Sequence, residues 1–185
     1  MKGTALLIID FQNDYFPSFE GAKMPLYQTE QAAQRAAELL EMFRAGDGFI
    51  VHVRHEFEGD GAPFFAAGSQ GALIHPSVAP IGDEVVVLKH HINSFRDTKL
   101  AELLNAQGIE KLVVVGAMSH MCIDAAVRAG VDLGFDCQVV EDACATLALE
   151  YQGVEASAQQ VQASFMAALK MGYCEVVSST ELLPS

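Results

Sequence analysis

The 185-residue chain is long enough to form one domain with a substantial core. Hydrophobic residues make up 51% of it, and this fraction excludes a disordered protein. The 11 basic and 24 acidic residues give a formal net charge of −13, which would repel both a nucleic-acid backbone and an anionic membrane surface.

The first part of the chain alternates a strand, a helix and a second strand. The apolar run Thr4–Ile9 predicts a strand that is buried on both faces, as in a parallel sheet. Apolar residues at helical spacing follow from about Thr29 to Gly46, and Phe49–Val53 predicts the second strand. The long segment 56–82 is rich in Gly, Pro and Phe, which is typical of a functional lid or binding loop.

The same alternation continues to the end of the chain. The remaining predicted elements are strand Glu84–Leu88, a short helix over Leu100–Leu104, strand Lys111–Val115, a helix from about His120 to Leu133, strand Phe135–Val140, a long helix over about Val154–Met171 and strand Tyr173–Val177. Strands that alternate with helices favour a parallel sheet. We therefore predict a single α/β domain over residues 1–185, with a doubly wound, six-stranded parallel sheet in the order 3-2-1-4-5-6 and helices on both faces.

Three reactive side chains fall at the carboxyl ends of predicted strands. Asp10 follows the first strand, Lys89 the third, and Cys122 comes shortly after the fourth. Ligands of such sheets bind beyond these ends, near the point where the strand order reverses. Each residue alone has an ordinary place in a turn, in solvent or in the core, but the three together predict a reactive site.

The segment 116–122 predicts a strand end, a turn and the start of a helix. A thiol in the first turn of a helix faces unpaired backbone N–H groups and the positive end of the helix dipole, and both favour the thiolate. The same N–H groups can bind the oxyanion of a tetrahedral intermediate. A neighbouring carboxylate can accept the thiol proton, and a lysine can hold that carboxylate. Cys122 is therefore the candidate nucleophile.

These residues resemble the isochorismatase-like cysteine hydrolases, which include nicotinamidases, N-carbamoylsarcosine amidases and ureidoacrylate amidohydrolases. The run 10–14 (DFQND) matches the opening pattern of the family, and Lys89 stands where the family has its catalytic lysine. The run 116–122 (GAMSHMC) matches the nucleophile segment. The resemblance extends over residues 4–177, which is nearly the whole chain.

The resemblance implies a role for each of these residues. Cys122 would be the nucleophile, Asp10 its base and Lys89 their electrostatic partner. The resemblance also implies a cis peptide bond between Ala117 and Met118, which would direct the N–H groups of Met118 and Cys122 at the substrate oxyanion. Members of the family commonly form dimers or larger assemblies, so a homo-oligomer is also implied.

The presence of a cysteine bears on the reaction. Family members that hydrolyse the vinyl ether of isochorismate often lack this cysteine, so Cys122 favours acyl chemistry. We predict hydrolysis of a C–N bond in a small amide or N-carbamoyl compound, through a thioester and with release of ammonia. Two alternatives stay open: an isochorismatase-type vinyl-ether hydrolase, and a non-catalytic binding module. Against the second, neither GxGxxG nor GxxxxGK[ST] follows the first strand.

We predict neither a metal ion nor another cofactor. Nicotinamidases carry an Asp-x-His metal pair after the second strand, whereas this chain has His52-Val53-Arg54-His55 there. Side chains at positions i and i+3 of a strand point to opposite faces, so His52 and His55 cannot chelate one ion together. The departure also weakens a nicotinamidase assignment.

A few further residues are candidates for the substrate pocket. Gln12 and Phe16 follow the first strand, and Phe64 and Phe65 lie in the long loop, where they would form an apolar wall. His120 precedes the nucleophile by two residues and would contact the substrate or cap the helix. For the aromatic residues, an ordinary place in the core is the alternative.

The cysteines and apolar runs indicate the compartment. Among Cys122, Cys137, Cys144 and Cys174 no pair has CxxC spacing, so four free thiols in a reducing environment are expected. The apolar runs are shorter than the ~18 residues of a membrane helix, and the first residues do not resemble a secretory signal. We predict a cytoplasmic protein whose partner is a small molecule rather than nucleic acid or a membrane.

Overall fold

A computed structural model describes residues 1–59 and 61–183 and shows eight strands over them. The strands are β1 (Thr4–Ile9), β2 (Phe49–His55), β3 (Val85–Lys89), β4 (Lys111–Ala117), β5 (Asp136–Ala145), β6 (Leu149–Tyr151), β7 (Val154–Ala156) and β8 (Glu175–Val177). Six of them form one parallel sheet in the order β3-β2-β1-β4-β5-β8. Because β8 is the sixth predicted strand, the predicted α/β fold and strand order are confirmed.

Helices cover both faces of this sheet. They are α1 (Thr29–Ala45), α2 (Leu100–Ala106), α3 (Asp124–Asp132), α4 (Ala158–Gly172) and α5 (Ser179–Leu182). Successive side chains of β1 alternate between two cores: Leu6 and Ile8 pack on the side of α1, and Leu7 and Ile9 on the side of α2, α3 and α4. Both faces of β1 are buried, which explains why its sequence is a continuous apolar run.

The predicted helix over Val154–Met171 begins four residues too early. Strand β7 pairs antiparallel with β6 to form a hairpin, and its turn residues Gln152 and Gly153 have φ values of 52° and 78°. Two consecutive positive φ values, with Gly second, are typical of a hairpin turn. Helix α4 then starts after Ser157, whose side chain forms a capping box with Gln160.

No helix in the described parts of the chain combines the length and apolar character that crossing a bilayer requires. All four cysteines are free thiols, as predicted.

Gly116 allows the central strands β1 and β4 to meet closely beside Asp10. Its φ is 130°, and a Cβ atom there would lie 2.0 Å from the carbonyl oxygen of Ile9. A side chain would therefore have to displace the backbone of β1 next to the candidate site.

We expect Gly116→Ala to lower the free energy of unfolding by about 3 kcal/mol or more, because the clash involves backbone and the φ value is unfavourable for alanine. Denaturant unfolding measures this. Gly172→Ala is the matched control, since nothing lies within 4 Å of its added methyl group. An unchanged midpoint for Gly116→Ala would contradict the close approach.

Candidate active site

The structure brings Asp10, Lys89 and Cys122 into contact. The Lys89 ammonium lies 2.8 Å from Oδ2 of Asp10 and 3.1 Å from Sγ of Cys122. Asp10 follows β1, Lys89 ends β3, and Cys122 lies in a π-helical turn over Ser119–Ile123 between β4 and α3. All three are at least 98% buried. The carboxyl edge of the sheet therefore holds a thiol, a carboxylate and an ammonium within a few ångströms.

The backbone of Asp10 turns sharply at the end of β1. Its φ is 55°, in the left-handed region, which Asp tolerates better than most side chains. Its N–H still donates to the carbonyl oxygen of Val53 at 2.9 Å, so the residue stays attached to β2. The turn takes the chain out of the strand at the position where the carboxylate meets Lys89.

Burial governs the protonation of the acid and the thiol. It raises the pKa of Asp10 above its ordinary value, although the Lys89 ammonium opposes the shift. Burial, and then the Asp10 charge, raise the pKa of Cys122, so the resting sulfur is a neutral thiol. Desolvation by burial therefore opposes the thiolate that the start of the helix favours.

Lys89 supplies the positive charge of the site. Burial lowers its pKa, but the neighbouring Asp10 and Cys122 raise it by more, so that the net shift is upward. Its ammonium also donates to the carbonyl oxygens of His91 and Ile92, at 3.2 and 3.1 Å. Lys89 is thus a fixed cation at neutral pH.

The peptide bond between Ala117 and Met118 is cis, the form that the family resemblance implies. The carbonyl oxygen of Met118 accepts hydrogen bonds from the N–H groups of Met121 and Ile123, at 2.9 and 3.2 Å. The N–H of Met118 has no hydrogen-bond partner among residues 1–59 and 61–183. This segment therefore carries an unpaired backbone N–H four residues before Cys122.

The side chain of Gln12, a candidate pocket residue, is bonded to the backbone of neighbouring segments. Its Nε2 donates to the carbonyl oxygens of His55 and Ala72, both at 2.7 Å, and its Oε1 accepts from the N–H of His55 at 2.7 Å. The amide is fully used in joining β2 to the long loop, and Gln12 is 0% exposed. It positions backbone rather than offering a free group to a substrate.

Most of the aromatic candidates for the pocket are buried against other side chains of the protein. Phe16 is fully buried and stacks on His75 with 3.6 Å between ring centroids. Phe65 is fully buried beside Tyr15, whereas Phe64 is only partly buried. Phe16 and Phe65 thus occupy the core positions that were the alternative, and Phe64 alone of these rings retains exposed surface.

His120 is half-buried next to the nucleophile turn. Its Nδ1 lies 2.7 Å from Oγ1 of Thr146, and its ring contacts Phe165 edge-on. It caps no helix by a side-chain hydrogen bond. Its Nε2 has no hydrogen-bond partner among the residues that the structure describes.

Sequence reasoning missed Asp14, which organises the long loop. Its Oδ2 accepts from the N–H of Phe65 at 2.7 Å, and its Oδ1 from the N–H of Lys23 at 3.2 Å. A Cβ atom on Gly71 would lie 2.3 Å from this carboxylate, so Gly71 is required for the contact. The DFQND motif is the signal that marks Asp14, because it places a second carboxylate four residues after Asp10.

His52 and His55 point to opposite faces of β2, as the strand geometry predicts. Nε2 of His52 lies 3.0 Å from Oε2 of Glu84, which also binds Arg44. Nδ1 of His55 instead lies 3.4 Å from the Lys89 ammonium.

A ring nitrogen of His55 lies within 4.8 Å of donor atoms of Asp10 and Cys122, and such a trio resembles a metal site. However, Lys89 contacts all three groups, at 2.8, 3.1 and 3.4 Å. A second cation there would be repelled by the ammonium, so the residues do not fit a metal.

This strand order, with a buried Asp–Lys–Cys cluster at its carboxyl edge, defines an isochorismatase-like hydrolase. The isochorismatase domain family matches residues 4–172, and the chain therefore belongs to the isochorismatase family.

Individual relatives support this membership. The isochorismatase family protein YddQ of Bacillus subtilis is 48% identical over 180 residues, covering 97% of this chain and 98% of that protein. The crystal structure of an isochorismatase hydrolase from Oleispira antarctica superposes with a TM-score of 0.96 at 58% identity, covering 98% of this chain and 96% of that one. A maleamate amidohydrolase of Pseudomonas putida is 32% identical over 154 residues, covering 75% of this chain and 70% of that protein.

Proposed function

We propose that this hydrolase cleaves the C–N bond of a small amide or N-carbamoyl compound, through a thioester on Cys122. The observation that carries the proposal is the direct contact of Lys89 with both Asp10 and Cys122, out of solvent. A neutral thiol beside a carboxylate and an ammonium is suited to nucleophilic attack with concerted proton transfer. The relative that acts on maleamate, an amide, supports the same reaction class.

In the first half of the proposed reaction, Asp10 accepts the thiol proton as the Cys122 sulfur attacks the carbonyl carbon. The N–H groups of Met118 and Cys122 donate to the oxyanion. The C–N bond then breaks, the leaving nitrogen takes the proton from Asp10, and ammonia departs.

In the second half, Asp10 accepts a proton from water as the oxygen attacks the thioester. The C–S bond breaks, the acid leaves, and the sulfur recovers its proton from Asp10. Lys89 stays charged throughout, so it stabilises the carboxylate and the transient negative charge on sulfur.

An ammonia-release screen over small primary amides and N-carbamoyl compounds tests the proposal, with Cys122→Ala as the blank. We expect wild-type protein alone to release ammonia from at least one of them. Conversion of isochorismate without ammonia release would favour the vinyl-ether alternative instead. An unreactive Cys122 under thiol alkylation, with no turnover of either class, would favour a non-catalytic module.

The pH profile should report Asp10. Since burial raises its pKa, we expect kcat/KM to fall with decreasing pH through a pKa above the ordinary value of 3.8. The sign follows from the need for an ionised base: protonated Asp10 cannot accept the thiol proton. Steady-state rates against pH on the amide found by the screen measure it, and a profile with no acid limb would contradict the role of Asp10.

We also propose that the chain acts in the cytoplasm as a homo-oligomer. The family resemblance supports the assembly, and the β6–β7 hairpin exposes Tyr151 and Val154 at 76% and 72%. Light scattering in solution tests this, and a monomer at micromolar concentration would contradict it.

A further inference from the structure

His55 carries a buried polar atom that the proposed mechanism does not use. The residue ends β2 and is only 2% exposed. Its Nε2 has no hydrogen-bond partner in the described part of the chain. Because an unpaired buried polar atom is destabilising, one on a ring that contacts Lys89 indicates a missing ligand.

The neighbouring lysine defines the tautomer of this ring. Nδ1 of His55 lies 3.4 Å from the Lys89 ammonium, which has hydrogens to donate and no lone pair. The ammonium attracts a lone pair on Nδ1 and would repel an Nδ1–H, so we assign the ring proton to Nε2. The unpartnered atom is thus a hydrogen-bond donor.

The ring is also neutral. Burial, and next the positive charge of Lys89, lowers the pKa of His55 to about 3. The Nε2–H group is therefore a hydrogen-bond donor on an uncharged ring at neutral pH.

The donor is held in a fixed orientation. Gln12 bonds both the N–H and the carbonyl oxygen of His55, at 2.7 Å each. The ring stacks on Phe57 with 4.3 Å between centroids. Clamping of backbone and ring is what a preorganised binding group requires.

A cavity of about 320 Å³ borders the ring. The wall residues used here are His55, Phe57, Asn93 and Ala125. Ala125 lies three residues after Cys122, so one wall residue of the cavity belongs to the helical segment that follows the nucleophile. Its volume is at the low end of ligand pockets, which fits a small substrate.

We infer that His55 is a substrate-binding residue whose Nε2–H donates to an acceptor oxygen on a second polar group of the substrate. The inference rests on the proposed function, since it takes the scissile carbonyl to be at Cys122. It specifies the substrate class: a small amide or N-carbamoyl compound with a further carbonyl or carboxylate oxygen a few bonds from the scissile carbon.

Three probes separate the acceptor chemistry: succinamate carries a carboxylate, its methyl ester a neutral carbonyl, and butyramide no second acceptor. His55→Phe keeps an aromatic ring for Phe57 and removes the N–H. We expect it to lower the kcat/KM ratio of succinamate or its ester to butyramide by about 10- to 100-fold. His55→Gln, whose amide N–H reaches as far, should restore part of the preference.

His75→Phe is the matched control, because His75 lies outside this cavity and bonds Ser77. Its ratio should equal that of the wild type. A fall for either acceptor probe in His55→Phe supports the inference, and an unchanged ratio for both overturns it. Absence of ammonia release by wild-type protein from every amide and N-carbamoyl compound of the screen refutes the proposed function instead, and binding is then tested directly.

Nitrogen NMR of the His55 ring in Cys122→Ala protein provides that test without turnover. We expect a neutral ring protonated at Nε2 from about pH 5 to 8, and a shift of the Nε2–H resonance on addition of succinamate but not of butyramide. A proton on Nδ1, an imidazolium, or no shift with succinamate would overturn the inference.

Discussion

Cys122→Ala and Asp10→Asn are each expected to reduce kcat by about 10,000-fold or more on the amide substrate, and the double variant is expected to be little worse. The nucleophile and its base act as one unit, because the neutral thiol cannot attack without transfer of its proton. Once either group is lost, the second replacement removes an interaction that no longer functions.

Steady-state and single-turnover rates on the two single variants and the double variant measure this effect. Substrate affinity should be largely kept in Cys122→Ala, since the pocket determines binding. Cys174→Ala is the matched control, because Cys174 is a free, partly buried thiol away from the site. Mass spectrometry at short times should find an acyl adduct on Cys122; an adduct confined to Cys137, Cys144 or Cys174 would show that the nucleophile is misassigned.

The sheet and the position of the cluster follow from local patterns in the sequence. Continuous apolar runs mark strands buried on both faces, and alternation with helices leaves few possible topologies. The carboxyl ends of parallel strands lie at one edge, so Asp10 and Lys89 meet although 79 positions separate them in the chain. That proximity is predictable without any knowledge of side-chain packing.

The remaining features depend on packing between distant segments. From its sequence position Gln12 is a candidate pocket residue, but in the folded protein its amide donates to the carbonyl oxygen of Ala72 in the long loop. The pKa of the Cys122 thiol depends on how completely the folded protein excludes water, and no local sequence motif indicates this. The β6–β7 hairpin was missed for a different reason: its Gln152-Gly153 turn signal is local, but the apolar pattern of the following helix masked it.

Lys89 links the stability of the protein to its activity. The Lys89–Asp10 ion pair is fully buried, and removal of one partner from such a pair leaves an uncompensated charge. We expect Lys89→Met to lower the free energy of unfolding by about 3–5 kcal/mol at neutral pH. It should also remove most turnover, because without the ammonium the pKa of Asp10 rises further and the base becomes protonated.

The charge-neutral double variant Asp10→Asn/Lys89→Met separates these two effects. With neither charge buried, it should recover much of the lost stability, while activity stays absent because the base is missing.

The pH dependence of the stability of Lys89→Met has a definite sign. A carboxyl whose folded pKa is raised above its unfolded pKa binds more protons in the native state, so stability rises as pH falls through the folded pKa of Asp10. Chemical denaturation at several pH values should therefore show that the stability lost in Lys89→Met becomes smaller towards acid pH. A loss that is constant with pH, or a double variant as unstable as Lys89→Met, would contradict this. Either result would show that Lys89 acts through its packing and its bonds to His91 and Ile92 rather than through the charge of Asp10.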